Sequence, residues 1–288
     1  MAGSPGKGLD PLLFRLDRIA DALEGRISQA PVDWDAAEAF RWRGGRCEPV
    51  RHRHAIRLDD LLGIDAQKAL LERNTAQFVA GRPANNVLLS GARGTGKSSL
   101  VKALLDRHAA RGLRLVEVDR EELTQLPDII DRVAASSRRF IVYCDDLAFD
   151  DSESGYRTLK AVLDGSIAAP GENLLVYATS NRRHLMPEYQ DDNLPLIRGG
   201  EIHPREAVEE RISLSERFGL WVSFHAFDQD EYLAIAGHWL ARLGCDEPPD
   251  EWRSEALRWA LARGARNGRV AAQFARDHAG RQGASPAH

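Results

Sequence analysis

Residues 86–105 read NVLLSGARGTGKSSLVKALL, and this stretch decides the fold. A short apolar run, Asn86–Ser90, leads directly into a glycine-rich turn, and a helical pattern leaves the turn at Ser98. The turn matches the pattern G-x-x-x-x-G-K-[ST]. Its four matching positions are Gly91, Gly96, Lys97 and Ser98. The sequence therefore predicts a strand, a tight loop and a helix in immediate succession.

A loop of this kind is typical of proteins that wrap the phosphates of a nucleotide. Its glycines let backbone N–H groups curl around phosphate oxygens, and the helix N-terminus adds the positive end of its dipole. Lys97 would reach the β- and γ-phosphates, and the Ser98 hydroxyl would ligate Mg²⁺. The alternative, a glycine-rich turn with an incidental lysine, is disfavoured by the flanking strand and helix. We therefore expect ATP and Mg²⁺ as ligands, held by Gly91, Ala92, Arg93, Gly94, Thr95, Gly96, Lys97, Ser98 and Ser99.

Polar residues follow two later strand candidates. Phe140–Cys144 is apolar and ends in Asp145 and Asp146, and Leu174–Thr179 runs into Asn181. Ligands of open α/β sheets lie at the carboxyl ends of strands, so these side chains should face the phosphate site. We expect Asp145 to hold Mg²⁺ directly or through water, Asp146 to polarise the attacking water, and Asn181 to orient it. The alternative for the acidic pair is a strand end whose aspartates cap the next turn.

Strand and helix signals alternate between residues 57 and 228. The five strand candidates are Asn86–Ser90, Arg114–Val118, Phe140–Cys144, Leu174–Thr179 and Trp221–Phe224. Short apolar runs separated by helical patterns predict an α/β fold, a five-stranded parallel sheet sandwiched by helices. We expect residues 57–228 to form the nucleotide-binding core. Residues 229–288 lose the strand signal and predict a small helical lid domain with a tail.

Residues 1–56 are expected to form an accessory segment. Apolar residues from Leu12 to Leu23 recur at helical spacing, and a turn-rich stretch follows them. The stretch Arg41–His54 holds five arginines and two histidines. It could bind nucleic acid or another anion, although such a run is more often a solvated loop.

Composition limits the class of protein. The chain has 288 residues, of which 43% are hydrophobic and 28% charged, and its net charge is −4. This balance disfavours a surface that grips nucleic acid over its whole extent, but allows a local basic face. The three cysteines lack metal-ligand spacing and are expected to be reduced thiols. No stretch is long and apolar enough for a signal peptide or a membrane span, so we expect a cytoplasmic protein.

The order of these motifs resembles that of the AAA+ ATPases. The phosphate loop is followed by FIVYCDD, ATSN, ERISLSERFGL and, in the helical region, ARNGRVAAQF. More narrowly, NNVLLSGARGTGKSSLVKALL, FIVYCDDLAFD, YATSNRRHL and SLSERFGLW are similar to a bacterial AAA+ family of unknown function. The resemblance covers roughly residues 40–280. It implies a P-loop core with a C-terminal lid, ATP hydrolysis and a homo-oligomer, with an unidentified protein or nucleic-acid partner.

The resemblance also implies roles for individual residues. The phosphate loop matches the Walker A motif, Asp145 and Asp146 match Walker B, and Asn181 matches sensor 1. The segment Leu62–Gly63–Ile64 is similar to the one that packs on adenine.

Two arginines receive catalytic roles from the same resemblance. Arg217 matches the arginine finger that a neighbouring subunit inserts, with Arg205 and Arg211 as competitors. Arg269 matches sensor 2, with Arg263 and Arg266 as competitors.

The sequence departs from many AAA+ motors at two places. Asp146 stands where many motors have Glu, and residues 119–130, DREELTQLPDII, lack the aromatic of a substrate-threading loop. Protein threading is therefore disfavoured, and a slow-hydrolysing ATP-gated switch or loader is an alternative to a motor. A nucleic-acid remodelling factor is a further alternative that rests on Arg41–His54. A small-molecule kinase is disfavoured by the extra strand before the acidic pair and by the C-terminal helical region.

Overall fold

The computed structural model describes residues 32–53, 55–147, 154–165, 172–181, 216–245 and 247–283. Within these residues the strands are β1 Ala39–Arg43, β2 Arg46–Pro49, β3 Val87–Gly91, β4 Leu113–Val118, β5 Arg139–Cys144, β6 Leu174–Ser180 and β7 Leu220–Phe224. The helices are α1 Asp65–Val79, α2 Lys97–His108, α3 Leu126–Ala134, α4 Ser154–Leu163, α5 Gln229–Arg242, α6 Pro249–Ala262 and α7 Gly268–Arg281. A 3₁₀ turn, Leu58–Asp60, precedes α1.

The strands form one sheet in the order β2-β1-β4-β5-β6-β3-β7. Every pairing is parallel except that of β1 with β2. The register aligns Ser90 with Ser180 and Cys144 with Ala178. Because of this register, the phosphate loop, the acidic pair and Asn181 leave the same edge of the sheet side by side. All five predicted strands are present and the predicted α/β fold is confirmed.

The predicted count of five strands is wrong, because β1 and β2 extend the sheet to seven. They lie within the stretch read as a basic accessory segment, before the expected start of the core at residue 57. Phe40 and Trp42 are buried while Arg43 is exposed, so β1 shows the alternation of a strand with one covered face. Gly44 and Gly45 turn the hairpin with φ values of 54° and 76°. Two consecutive glycines between such runs are a hairpin signal that the arginines obscured.

Helices cover both faces of the sheet. Along β5, Ile141 and Tyr143 belong to one apolar cluster, and Phe140, Val142 and Cys144 belong to the other. The first cluster includes residues of α1 and α2, and the second includes residues of α3 and α4. Near-continuous burial of both faces explains why these strands read as apolar runs rather than alternating ones.

The last three helices form the predicted lid, and their apolar core continues into the first cluster. Tyr232 on α5, Trp252 on α6 and Phe274 on α7 are buried members of that cluster. The α5 helix begins with a capping box, in which Asp228 accepts from the Glu231 N–H and the Glu231 carboxylate accepts from the Asp228 N–H. None of the helices in the described part of the chain is long and apolar enough to cross a membrane.

Two arginines of the basic stretch form ion pairs within the chain. Arg41 lies 2.9 Å from Glu117, and Arg53 contacts both Glu38 and Asp106. Their charges are therefore matched by neighbouring strands and helices, as expected of ordinary surface arginines. Three parts of the sequence interpretation lie outside the described residues. They are the apolar residues from Leu12 to Leu23, His54, and the competing arginines Arg205 and Arg211.

Candidate functional site

The phosphate loop is held closely at two glycines. Gly91 has φ of 130°, and a Cβ there would overlap the backbone carbonyl of Phe224 on β7. Gly94 has φ of 77°, and a Cβ there would lie 2.6 Å from the side chain of Asn267. Both positions combine a backbone conformation that glycine favours with a lack of space. The loop sequence is thus explained by its neighbours before any ligand is considered.

Lys97 is buried beneath the loop and turned toward it. Its Nζ donates to the carbonyl oxygens of Gly91 and Ala92 at 2.7 and 2.8 Å, and to Asn181 Oδ1 at 3.1 Å. Burial lowers the pKa of Lys97; the charges of Asp145 and Asp146 oppose that shift, whereas nearby arginines reinforce it. These three acceptors hold a cation where the phosphates of a nucleotide would lie.

Ser98 and Asp145 form an oxygen-rich corner next to Lys97. The Ser98 hydroxyl donates to Asp145 Oδ1 at 2.8 Å, and the Thr179 hydroxyl donates to the same oxygen at 2.6 Å. Burial alone would raise the pKa of Asp145, but these hydrogen bonds help to lower it below its ordinary value. An ionised carboxylate beside a hydroxyl is a donor set of hard oxygens, which fits Mg²⁺.

Asp146 has the left-handed backbone φ of 52°, which aspartate tolerates better than most residues. Its N–H donates to Thr179 Oγ1 at 2.9 Å, which fixes this turn after β5. The Asn181 amide donates to its carboxylate, and Arg93 approaches the other carboxylate oxygen at 3.6 Å. Asn181 therefore contacts Lys97 and Asp146 at once, because β6 lies between β5 and β3 in the sheet.

These residues line a cavity of about 530 Å³ between the core and the lid. The polar part of its lining includes residues 93–99, Asp145, Asp146, Thr179 and Asn181. The two other loop positions, Gly91 and Ala92, do not line it and instead offer their carbonyl oxygens to Lys97. The large apolar side chains of the lining are Ile56, Leu61, Leu62, Ile64, Phe227, Ile235 and Trp239. Gly63 is not among the lining residues; it packs on Phe227 and lets the chain turn at φ of 74° into Ile64.

The lid contacts the phosphate loop and contributes residues to the cavity lining. The Gly268 N–H, at the start of α7, donates to the Gly94 carbonyl at 2.9 Å. Arg269 lines the cavity as expected, while its competitor Arg263 lies over the Trp259 ring at 3.4 Å from the centroid. A buried Asp60 joins the core to α5 through His238 at 3.3 Å and Arg242 at 3.5 Å.

Arg217 lies apart from the cavity of its own chain. It precedes β7 and forms an ion pair with Asp164, just after α4. It is absent from the residues that line the cavity in the described part of the chain. The structure therefore brings the phosphate loop, Asp145, Asp146, Asn181 and Arg269 to one cavity and leaves Arg217 apart from it.

Sequence reasoning missed several cavity residues that the lid supplies. Arg276 and Gln273 follow Arg269 at helical spacing on α7, and Trp239 lies on α5. The spacing of four and seven residues from Arg269 could have identified the α7 face, because such residues share one side of a helix. Nothing in the sequence indicated which face of α5 meets the core.

A family model described as "Protein of unknown function (DUF815)" matches residues 35–282. No curated protein matches the sequence. Among solved structures, Orc1 of Aeropyrum pernix in complex with DNA superimposes with a TM-score of 0.50 and 15% identity, over 76% of this chain and 61% of that one. This chain thus spans less than two thirds of the Orc1 chain.

Two other solved structures superimpose less closely. ORC2 of Aeropyrum pernix, in ADPNP–ADP complexes, gives a TM-score of 0.47 at 12% identity over 78% of this chain and 70% of that one. The Thermotoga maritima RuvB Holliday junction branch migration motor gives 0.41 at 14% identity over 76% and 71%. Identities this low bear on the fold alone. The resemblance read from the motifs is confirmed: the chain belongs to the DUF815 family of proteins of unknown function and has the AAA+ type of P-loop fold.

Proposed function

We propose that this protein binds ATP with Mg²⁺ in the cavity, hydrolyses it to ADP and phosphate, and couples nucleotide state to a macromolecular partner. One observation carries the proposal. The Asn181 side chain links the cation of the phosphate loop, Lys97, to the second acid, Asp146. This contact supports the proposal, because a single side chain connects a cation suited to binding phosphate with a carboxylate suited to accepting a proton from water.

Binding would exchange contacts within the loop for contacts with the nucleotide. Lys97 would leave the Gly91 and Ala92 carbonyls for the β- and γ-phosphates, a charge-assisted exchange. The apolar side chains of the lining, including Ile64 and Trp239, would take the base. Arg269 would add positive charge from the lid.

Hydrolysis would rest on positioning and charge. Ser98 and Asp145 would hold Mg²⁺, which supplies charge neutralisation of the phosphates when bound. Asp146 would orient a water and accept its proton, with Asn181 fixing the carboxylate. The water oxygen would form a bond to the γ-phosphorus in line with the β–γ bridging oxygen, whose bond breaks as ADP leaves.

The test measures ATP binding and phosphate release on two variants. Lys97→Ala should weaken ATP binding on the order of 100-fold or more, because charge-assisted bonds to phosphate are lost. Asp146→Asn should bind ATP but release phosphate about 10²–10⁴-fold more slowly.

Lys160→Ala, which removes a lysine of α4 that does not line the cavity, serves as the control. The proposal fails if folded Lys97→Ala protein binds ATP as the unmodified chain does. It also fails in its catalytic part if Asp146→Asn protein turns over at the unmodified rate.

A slow-hydrolysing, ATP-gated switch is the second candidate, and the state of Asp146 favours it. Asn181 holds one oxygen of this carboxylate and Arg93 lies 3.6 Å from the other, so the Arg93 contact would have to loosen before that oxygen acts on water. A switch would show low basal turnover that rises when a partner is added. A motor would show substantial turnover with the protein alone.

Arg217 suits a role in a neighbouring subunit of a homo-oligomer. It lies outside its own cavity and beside Asp164, which would orient the guanidinium until a second copy docks. We expect Arg217→Ala to keep ATP binding and to lower turnover, with about 10³–10⁵ as an upper guide. Mixing Arg217→Ala with Lys97→Ala subunits should partly restore turnover. An inactive mixture in which mixed oligomers form would exclude a shared site.

A further inference from the structure

The buried hydroxyl of Tyr143 has no part in the proposed hydrolysis. The residue lies on β5 two positions before Asp145, so both side chains leave the same face of the sheet. Its side chain is fully buried, and its hydroxyl has no hydrogen-bond partner among the residues that the structure describes. Buried hydroxyls are nearly always bonded, so this exception calls for a physical reason.

The surroundings of this hydroxyl are those of the oxygen-rich corner. Burial and the nearby Asp145 charge raise the pKa of Tyr143, and the Ser98 and Thr179 hydroxyls are close enough to affect it as well. The hydroxyl helps to lower the pKa of Asp145, yet it does not reach the full distance and angle of a hydrogen bond with any of these groups. The donor therefore lies next to Asp145 without being bound to it.

Tyr177 on β6 provides an internal comparison. It is equally buried, but its hydroxyl lies 3.0 Å from Asn74 Nδ2 and 2.9 Å from Thr75 Oγ1. The fold thus satisfies one buried tyrosine hydroxyl fully and leaves the one beside Asp145 unsatisfied. A hydroxyl that contributed only to the fold would be expected to resemble Tyr177.

The hydrogen bonds of Asp145 indicate what the unsatisfied donor is for. Ser98 and Thr179 already donate their hydroxyl protons to Oδ1 of this carboxylate, and Tyr143 does not. An ion held by Ser98 and Asp145 would draw the carboxylate toward the phosphates. A carboxylate that ligates a metal is oriented by hydrogen bonds from its other side, and Tyr143 lies in the buried strand behind it.

We propose that Tyr143 is a positioning residue for the divalent ion, whose hydroxyl donates a hydrogen bond to Asp145 once Mg²⁺ and nucleotide are bound. The inference rests on the proposed function, because it requires Mg²⁺–nucleotide binding at this site. A hydroxyl that served only to stabilise the fold would not lead to the following prediction. Removing the hydroxyl should leave the unliganded protein as stable or more stable, while it weakens the dependence of nucleotide binding on Mg²⁺.

The experiment compares Tyr143→Phe with Tyr177→Phe in the full chain. Thermal unfolding without ligand should give an unchanged or raised Tm for Tyr143→Phe and a lowered Tm for Tyr177→Phe. Binding of the non-hydrolysable ATP analogue AMP-PNP is then titrated against Mg²⁺, with EDTA as the metal-free reference. Tyr143→Phe should raise the Mg²⁺ concentration for half-maximal binding about three- to tenfold, the size of one hydrogen bond, and leave binding in EDTA unchanged.

Either of two results would overturn the inference. One is an unchanged Mg²⁺ requirement in Tyr143→Phe, and the other is a loss of Tm like that of Tyr177→Phe, which would show a structural bond. Failure of the proposed function is distinguishable, because then the unmodified chain itself would not bind AMP-PNP at any Mg²⁺ concentration.

Discussion

The phosphate loop has two flanks, and they are held in different ways. On the sheet side, a Cβ at Gly91 would meet backbone atoms of Phe224, the carbonyl carbon among them at 2.9 Å. On the lid side, a Cβ at Gly94 would meet the Asn267 side chain at 2.6 Å. The backbone of the edge strand β7 cannot retreat from Gly91 without breaking its hydrogen-bond ladder with β3, whereas a side chain at a helix start can rotate. The sheet therefore fixes the loop, and the lid can adjust to it.

The largest effect should come from Gly91→Ala. The new methyl group would push apart β3 and β7 where Gly91 pairs with Phe224, and alanine disfavours a φ of 130°. We expect a loss of about 3–5 kcal/mol in the free energy of unfolding, measured with urea.

Gly264→Ala is the matched control for this substitution. Gly264 also has positive φ, 62°, but a Cβ there meets nothing within 4 Å. The free energy of unfolding should therefore fall only by the backbone cost of alanine at positive φ, about 1–2 kcal/mol. Equal losses in the two variants would show that β7 yields and that the sheet flank is no more rigid than a surface turn.

Gly94→Ala should have a smaller effect on stability, about 1–2 kcal/mol, and a specific effect on the lid. Its methyl group would displace Asn267, which caps α7 by accepting from the Val270 N–H at 2.9 Å. We expect ATP affinity to fall about tenfold, since the lid residue Arg269 would move with the helix.

A second substitution tests whether the clash with Asn267 is the cause. Asn267→Ser keeps a good capping side chain and makes it shorter. The double variant Gly94→Ala, Asn267→Ser should recover most of the lost ATP affinity. If affinity stays low in the double variant, the loop rather than the lid contact is responsible.

The smallest effect concerns the pH dependence that one buried histidine gives to stability. His108 on α2 is buried, and its pKa is lowered chiefly by burial, so the folded state resists protonation. Its contribution to stability is complete above the unfolded pKa of about 6.5 and is lost as pH falls toward the folded value. Unfolding by urea at pH 6.5 and 5.5 should show a loss below about 1.4 kcal/mol.

His108→Leu should remove that part of the pH dependence. An unchanged pH profile in His108→Leu would assign the acid sensitivity to other groups.

The sequence predicted those parts of the site that are encoded locally. The phosphate loop, the acidic pair, Asn181 and Arg269 each stand in a short motif whose position on a strand end or helix start could be read directly. Trp239 could not be predicted, because the packing of the lid on the core brings it to the cavity, and the same packing sets Asn267 against Gly94. The unsatisfied Tyr143 hydroxyl was hidden for the same reason, since hydrogen-bond satisfaction depends on neighbours from other elements.

For the fold as well, the features encoded by local sequence could be predicted, and those that depend on packing could not. The five strands buried on both faces read clearly as apolar runs, and the α/β class followed from them. The β1–β2 hairpin did not, because its exposed arginines dominate the composition of a strand that is covered on only one face. The pairing of Arg217 with Asp164 joins residues 53 positions apart and has no local signal.

The hydrogen bond from the Gly268 N–H to the Gly94 carbonyl couples the position of the lid to the phosphate loop. A partner that draws α7 away must break this bond and would thereby lower the affinity for nucleotide. By thermodynamic linkage, bound nucleotide then lowers the affinity for that partner by the same factor. A partner that presses α7 inward would raise the affinity for nucleotide, and bound nucleotide would raise the affinity for that partner by the same factor. Measuring the affinity of a partner with and without nucleotide would therefore report the direction in which the lid is moved.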